Sequence, residues 1–145
     1  MSTSKIASSA SIGTNTIPGY FCRIGENVRI GESCEIGNHV VIHEGSIIGD
    51  RVRIDDGAVV GKLPMKAANT AVTKVQELPP TEIGSDCILG THTVIYRGCK
   101  IGHKVLVADL ATIRENVTVG DFTIVGRGVA IENLCKIGRY VKLET

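Results

Sequence analysis

Tryptophan is absent from this sequence, and aromatic residues make up only 3% of its 145 residues. Aromatic rings usually supply much of the buried area of a globular core, so we expect a narrow core of stacked aliphatic side chains instead. An excess of charge of either sign is also missing, because the formal net charge is +1. The chain therefore offers no polyanion-binding surface and no basic run that would indicate nucleic-acid binding.

Long apolar runs are missing too, so the sequence predicts neither a signal segment nor a membrane span, and a location in the cytoplasm is expected. Five cysteines are present, but none forms a Cys-x-x-Cys pair. All five lie at one equivalent position of the repeat described below, which favours small buried side chains and a reducing compartment over a disulfide framework. They are Cys22, Cys34, Cys87, Cys99 and Cys135. No bound metal is expected.

The sequence does contain an aliphatic residue at every sixth position. The period runs without interruption from Ile24 to Val60 and continues from Ile83 to Leu143. A small or β-branched residue lies two positions before each aliphatic one, so both side chains point to the same face of an extended segment. Glycine often follows the aliphatic residue, and a polar pair typical of a turn comes next. Each hexad therefore predicts one short strand and one corner.

Three hexads close a triangular coil, and stacked coils pair their strands in parallel around a column of Ile and Val. The predicted fold class is all-β: a parallel β-helix of about seven triangular coils, about 33 Å long at the usual strand spacing. We expect a single domain over residues 1–145, with N-terminal coils over 6–61 and C-terminal coils over 81–145. An amphipathic helix is not indicated, because apolar residues do not recur at helical spacing.

Taking the hexads in threes assigns each aliphatic residue to one side of the triangle. The first side holds Ile6, Ile24, Ile42, Val60, Ile95, Ile113 and Ile131, the second Ile12, Ile30, Ile48, Ile83, Ile101, Val119 and Ile137, and the third Pro18, Ile36, Ile54, Leu89, Val107, Val125 and Leu143. Pro18 has no N–H for a strand ladder, which an edge coil tolerates. We therefore expect its coil to be the N-terminal cap.

The period breaks once, since Ile83 follows Val60 after 23 residues instead of six. The stretch 62–80 is expected to leave the corner between the first and second sides as a loop excursion. A stretch of this length is usually functional or disordered, and its apolar side chains favour an arm that contacts a partner surface; a tolerated surface insertion is the alternative. These side chains are Leu63, Met65, Val72, Val75 and Leu78.

The last hexad ends at Thr145 without a capping helix. An open parallel edge invites pairing with another chain. The expectation is therefore that the polypeptide is a fragment of a longer protein, or that another chain covers its final coil.

The four histidines are the candidate catalytic residues, because a neutral imidazole can accept a proton near pH 7. His39 and His92 fall at the same corner, two coils apart. His43 points outward from a flat side, whereas His103 lies at the corner between the second and third sides.

These hexads resemble those of the hexapeptide-repeat acyltransferases, a superfamily of left-handed parallel β-helices, and the resemblance covers nearly the whole chain. The hexad Ile101-Gly102-His103-Lys104 is similar to the Ile-Ala-His-Asp or Ile-Ala-His-Asn hexad that often carries the catalytic histidine in bacterial sugar N-acetyltransferases and lipid A acyltransferases. The stretch Thr93-Val94-Ile95-Tyr96-Arg97-Gly98 is similar to the Thr-Ile-His-Arg-Gly stretch of the lipid A enzymes, with Tyr96 in place of the histidine.

The resemblance implies a left-handed β-helix that forms a homotrimer. It implies transfer of an acyl group from acetyl-CoA or another acyl-CoA, a co-substrate rather than a tightly bound cofactor, to an amino sugar or a sugar nucleotide. His103 is the implied general base, with His92 and His43 as alternatives. The residues implied in substrate binding are Tyr96, Arg97 and Lys104.

Other interpretations stay open. The position of His103 in its hexad is polar in most other hexads, so a corner residue without a catalytic role is the alternative there. A γ-type carbonic anhydrase needs a His-x4-His spacing, but the residue five after His103 is Ala108, and no zinc triad is predicted. The alternative function is a non-catalytic β-helix that trimerises or binds a partner, or a truncated enzyme.

Overall fold

Nearly every hexad forms a strand of two residues. The computed structural model describes residues 3–68 and 77–144. In chain order the strands are β1 (Lys5–Ile6), β2 (Ser11–Ile12), β3 (Arg23–Ile24), β4 (Arg29–Ile30), β5 (Glu35–Ile36), β6 (Val41–Ile42), β7 (Ile47–Ile48), β8 (Arg53–Ile54), β9 (Val59–Lys62), β10 (Glu82–Ile83), β11 (Ile88–Leu89), β12 (Val94–Tyr96), β13 (Lys100–Ile101), β14 (Leu106–Val107), β15 (Thr112–Ile113), β16 (Thr118–Val119), β17 (Ile124–Val125), β18 (Ala130–Ile131), β19 (Lys136–Ile137) and β20 (Lys142–Leu143).

The strands form three parallel sheets, one for each side of the triangle. The first has the order β1-β3-β6-β9-β12-β15-β18, the second β2-β4-β7-β10-β13-β16-β19, and the third β5-β8-β11-β14-β17-β20. Aliphatic residues pair in register across coils, as Ile24 does with Ile42. The predicted parallel β-helix of about seven coils and the three predicted sides are confirmed. Before the third sheet begins at β5, the segment around Pro18 pairs through an isolated bridge between Ile17 and Glu35.

The interior is a column of aliphatic and small side chains. The aliphatic residues of the central coils are almost fully buried, and four of the five cysteines are buried beside them, with Cys135 half-buried. Burial raises the pKa of the Cys87 and Cys99 thiols to about 11. A thiol that stays protonated at pH 7 is a poor nucleophile and metal ligand, so these cysteines serve packing, as the repeat predicts.

Most corners depend on a left-handed backbone conformation three residues after the aliphatic position. This conformation costs a residue with a side chain about 1–2 kcal/mol, yet many corner residues are not glycine. They are Asn15, Phe21, Asn27, Ser33, His39, Arg51, Asp86, His92, Lys104, Leu110, Asn116, Phe122, Leu134 and Tyr140. Hydrogen bonds between coils offset the cost, as where the His39 N–H donates to the Tyr20 carbonyl at 2.9 Å. His39 and His92 are therefore corner residues of the same kind.

The chain leaves the coil between the first and second sheets. Strand β9 extends to Lys62, which pairs with Tyr96 across a shift of register. The departure therefore begins one residue later than the repeat predicts, and the chain returns in β10 on the second side. Leu63 and Met65 are 61% and 74% exposed. The predicted apolar residues Val72 and Val75 lie outside the described residues.

We expect the substitution Leu110→Asn to stabilise the protein. Leu110 has a φ of 65° and is 58% exposed, so it has the strain of a left-handed corner with little packing to lose. Asparagine adopts this conformation more readily, and the free energy of unfolding should rise by about 1 kcal/mol. Urea denaturation measures the change. Ile88→Asn, in an extended strand with no such strain, is the control and should be destabilising; a fall for Leu110→Asn would contradict the expectation.

Candidate functional site

Polar side chains gather on the first side where the chain leaves the coil. They surround a pocket of about 330 Å³, called here the arm-base pocket, which is lined by Asn27, His43, Glu44, Gly45, Gly61, Leu63 and Arg97. Strands β6, β9 and β12 are neighbours in the first sheet, so the residues that follow their aliphatic positions form one row. These residues are His43, Gly61 and Tyr96.

Glycine usually fills this position of the hexad, because successive coils come very close there. A Cβ on Gly84, for example, would lie 2.5 Å from the Gly102 carbonyl oxygen. His43 and Tyr96 carry side chains at the same position, and the residue between them is Gly61. A Cβ on Gly61 would lie 3.3 Å from the Cβ of His43. The glycine therefore leaves the space above His43 that becomes part of the pocket.

Arg97 connects the returning end of the excursion to the corner below it. Its Nη1 donates to the Glu44 carbonyl at 2.6 Å, and its Nε donates to the Leu78 carbonyl at 3.1 Å. The guanidinium is half-buried at the edge of the arm-base pocket. It is thus held in place by the backbone on two sides and lines the same pocket as His43.

Tyr96 is buried, with 6% of its surface exposed. Its ring lies between two cations, with Lys62 Nζ at 5.6 Å and the Arg114 guanidinium at 5.0 Å from the ring centre. Its carbonyl accepts a hydrogen bond from Thr81 Oγ1 at 3.1 Å. The ring therefore packs beneath Lys62 and positions that cation; a direct role in substrate binding stays a prediction.

The surroundings of His43 favour its neutral form. Burial of the half-buried ring lowers its pKa below 6.5, and the nearby charge of Arg23 lowers it further. Lys62 and Arg97 act in the same direction, whereas Glu44 opposes them. An imidazole that is neutral at pH 7 can accept a proton. His43 therefore combines a pocket, nearby cations and a suitable protonation state.

His103 lies at another corner and is engaged in the backbone. Its Nδ1 accepts the Ser85 N–H at 2.9 Å, and its own N–H donates to Asp121 Oδ1 at 2.8 Å. The same ladder continues below, where Asp50 N–H donates to Ser85 Oγ at 3.0 Å. With Nδ1 as the acceptor, the neutral ring has its proton on Nε2 and no second lone pair to offer. This geometry favours the corner role, while catalysis by His103 stays a prediction.

The other predicted site residues also lie away from the arm-base pocket. His92 is exposed at the corner between the third and first sides. His39, at the same corner, stacks on Phe21 with a centroid distance of 5.3 Å. Lys104 Nζ lies 5.3 Å from the centre of the Phe122 ring. Of the predicted residues, the structure therefore brings together His43, Arg97 and Tyr96, but not His92, His103 or Lys104.

Three residues whose charges act on His43 were missed by the sequence prediction: Arg23, Glu44 and Lys62. The sequence did contain a signal for Glu44. The stretch Ile42-His43-Glu44-Gly45 has the same layout as Ile95-Tyr96-Arg97-Gly98, in which Arg97 was predicted, and both lie on the first side. In both hexads a large side chain replaces the usual glycine. Lys62 carried no such signal, since its position depends on the extension of β9.

Within residues 3–68 and 77–144, no three His, Cys, Asp or Glu side chains lie close enough together to hold a metal ion. The same part of the chain contains no helix long and apolar enough to cross a membrane.

We expect the His43 imidazole to titrate below pH 6.5 and Arg23→Ala to raise its pKa, because the substitution removes a nearby positive charge. The NMR shifts of the ring protons as a function of pH measure this. Arg29→Ala, which removes a cation from the second side, is the matched control and should leave the titration unchanged.

Since the pKa of His43 in the folded state is lowered, the folded protein binds fewer protons than the unfolded chain, and acidification below about pH 6.5 should destabilise it. Titration of His43 at or above 6.5 would contradict this electrostatic account.

Comparison with known proteins supports the same architecture. Residues 27–62 match the family model of the bacterial transferase hexapeptide (six repeats), and no curated protein matches the chain. A UDP-N-acetylglucosamine acyltransferase from Campylobacter jejuni is similar with a TM-score of 0.72 and 19% identity, over 98% of this chain and 63% of that one.

A GDP-perosamine N-acetyltransferase from Caulobacter crescentus, solved with CoA and GDP-perosamine, has a TM-score of 0.68 and 12% identity over 99% of this chain and 54% of that one. A UDP-N-acetylglucosamine acyltransferase from Bacteroides fragilis has a TM-score of 0.60 and 26% identity over 94% of this chain and 56% of that one. The chain thus spans less than two thirds of the length of these enzymes. Residues 27–62 match a hexapeptide-repeat model, and the chain has the left-handed parallel β-helix fold of these acyltransferases.

Proposed function

We propose that the protein is an acyltransferase that moves an acetyl or other acyl group from acyl-CoA to an amino sugar or a sugar nucleotide. The observation that carries the proposal is the arm-base pocket, in which a half-buried His43 with a lowered pKa lies among cations. The shared fold supports it, because the similar enzymes from C. jejuni and C. crescentus are named as acyl- and acetyltransferases.

The chemistry requires a base and a site for negative charge. His43 takes a proton from the acceptor's amine or hydroxyl as that group attacks the thioester carbonyl carbon, and the carbonyl π electrons move to its oxygen. The oxyanion electrons then re-form the carbonyl as the carbon–sulfur bond breaks, the CoA sulfur leaves with the bonding electrons, and the imidazolium returns a proton to it. Lys62 and Arg97 surround His43 electrostatically and are suited to stabilise the oxyanion or to bind phosphate groups of a substrate.

His43 is the preferred base for a structural reason. The Nδ1 lone pair of His103 already accepts a backbone N–H, whereas no described residue makes such a bond to the His43 ring, which lines a pocket large enough for part of a ligand. The resemblance favours His103 by its position in the hexad. The two hypotheses differ in the residue whose loss stops turnover.

The protein is further proposed to act as a homotrimer without a tightly bound cofactor. Outward positions of the second and third sides carry apolar residues that a partner could cover, among them Ile47, Ile88 and Ile124, each more than a third exposed. Exposed Leu63 and Met65 at the start of the excursion add apolar surface. The same surfaces favour the second candidate function, a non-catalytic module that trimerises or binds a partner.

Acetyl-CoA binding to the full chain, measured by calorimetry on protein whose mass is determined by light scattering, separates the two candidates. We expect a trimer that binds acetyl-CoA and releases CoA thiol when UDP-N-acetylglucosamine, GDP-perosamine or a related amino sugar nucleotide is added. A folded protein that binds neither acetyl-CoA nor longer acyl-CoA molecules would contradict the acyltransferase proposal and favour the binding module.

His43→Ala should lower turnover by about 10²–10⁴-fold, the usual contribution of a general base, and leave acetyl-CoA binding largely unchanged. His103→Asn is the matched variant, because an asparagine oxygen can accept the Ser85 N–H just as Asn38 Oδ1 accepts the Tyr20 N–H at 2.8 Å. It should keep both fold and activity. Loss of turnover in His103→Asn together with full activity in His43→Ala would assign the base to His103 instead.

A further inference from the structure

Hydroxyl and thiol side chains at the small inward position of the hexad show a common hydrogen-bonding pattern. Most of them donate to the carbonyl of the residue fifteen positions later, which directly follows the aliphatic residue of the next coil, whereas Thr93 donates to the Gly90 carbonyl at 3.0 Å, three positions earlier. The pairs are Thr16 with Gly31 (2.7 Å), Cys22 with Gly37 (3.1 Å), Cys34 with Gly49 (3.2 Å), Thr81 with Tyr96 (3.1 Å), Cys87 with Gly102 (3.0 Å), Cys99 with Arg114 (2.8 Å) and Thr123 with Gly138 (2.6 Å). A buried donor is thereby satisfied at each of these positions.

Ser46 occupies the same inward position but does not follow this hydrogen-bonding pattern. It is fully buried, with 0% exposure, and its Oγ has no hydrogen-bond partner among the described residues. The carbonyl fifteen positions later belongs to Gly61, where β9 continues toward the excursion. Leaving a buried hydroxyl without a partner is unfavourable, so the departure calls for a local cause.

The cause lies in the backbone of Gly61, whose φ is 85°. Among the described residues, the other positive φ angles all fall at corners, three residues after an aliphatic position, whereas Gly61 directly follows Val60. The Cα of Gly61 lies close to the Ser46 hydroxyl, since a Cβ on Gly61 would be 2.5 Å from Ser46 Oγ. The unusual backbone conformation of Gly61 therefore accompanies the loss of the expected bond.

We propose that the Gly61–Lys62 peptide group is a two-state element that Ser46 controls. In the described state the Gly61 carbonyl does not accept the Ser46 hydroxyl. In the second state the peptide group is rotated, and Gly61 accepts the Ser46 Oγ–H as the equivalent residues do in other coils. Glycine makes both states accessible, because it adopts positive and negative φ about equally well.

The rotation changes the arm-base pocket while leaving the returning end of the excursion in place. It turns the Gly61 carbonyl and the Lys62 N–H, and so it shifts the Lys62 and Leu63 side chains that follow. The Arg97 N–H can keep its 2.8 Å bond to the Lys62 carbonyl, which belongs to the next peptide group. Thr81 and Arg97 hold the return through the Tyr96 and Leu78 carbonyls. Ser46 is thus a positioning residue for Lys62, whatever reaction the pocket serves.

NMR relaxation dispersion on the full-length ¹⁵N-labelled chain tests the proposal without any ligand. The amides of Gly61, Lys62 and Leu63 should show microsecond-to-millisecond exchange in the wild type, as expected for a population of two conformers. Ser46→Ala removes the donor that favours the second state, and the exchange contribution should fall to that of the regular Gly49 and Gly84 amides. Alanine fits, since Ala58 and Ala111 occupy the same inward position and are fully buried.

Two further variants make the test specific. Ser46→Thr keeps the hydroxyl, in a position where threonine donates in other coils, and should retain the exchange. Thr123→Ala removes an inward hydroxyl elsewhere and should leave the exchange at Gly61 unchanged. The proposal is overturned if the wild type shows no exchange at these amides, or if Ser46→Ala exchanges as strongly as the wild type.

Discussion

The close approach of successive coils at the residue after each aliphatic position is the constraint on which this structure depends. It aligns the aliphatic side chains into one column, and it leaves no room for a Cβ at most of these positions, as at Gly84. Most inward hydroxyls and thiols then donate to a carbonyl of the next coil, as Cys87 does to Gly102. The core, the corners and the buried hydrogen bonds thus all follow from the spacing between coils. This explains why a sequence with a simple six-residue repeat is enough to specify the fold.

The candidate site arises where this constraint is relaxed. His43 and Tyr96 place side chains in positions that glycine usually fills, and the coil between them accommodates this through Gly61 and the register shift at β9. Once the local regularity is broken, the chain can leave the coil, Arg97 lines a pocket together with His43, and the charge of Lys62 acts on the imidazole. The site and the excursion therefore lie at the same interruption of the repeat.

The repeat alone was enough to predict the architecture, because aliphatic residues six apart can share one buried column only in such a helix. Strand pairing, the three sides and the buried cysteines follow from dividing the sequence into units of six residues and grouping these units in threes. The candidate site was harder to predict from the sequence, since the family resemblance pointed to His103 by its position in a hexad. Whether an imidazole is free depends on contacts between coils, and the bond from Ser85 to His103 joins residues 18 positions apart. The pKa of His43 likewise depends on Arg23, which lies in the preceding coil.

The proposed acyl transfer would require both cations and a neutral base in the arm-base pocket. Positive charges that would hold an anionic substrate also disfavour protonation of His43, so a single cluster can serve both requirements. Glu44 acts against them and raises the pKa of His43 by more than Lys62 or Arg97 alone lowers it, but burial and Arg23 have larger effects. A movement of Lys62 would alter substrate attraction and imidazole basicity together. The orientation of the Gly61 peptide group therefore couples the backbone of one coil to the charge balance of the pocket.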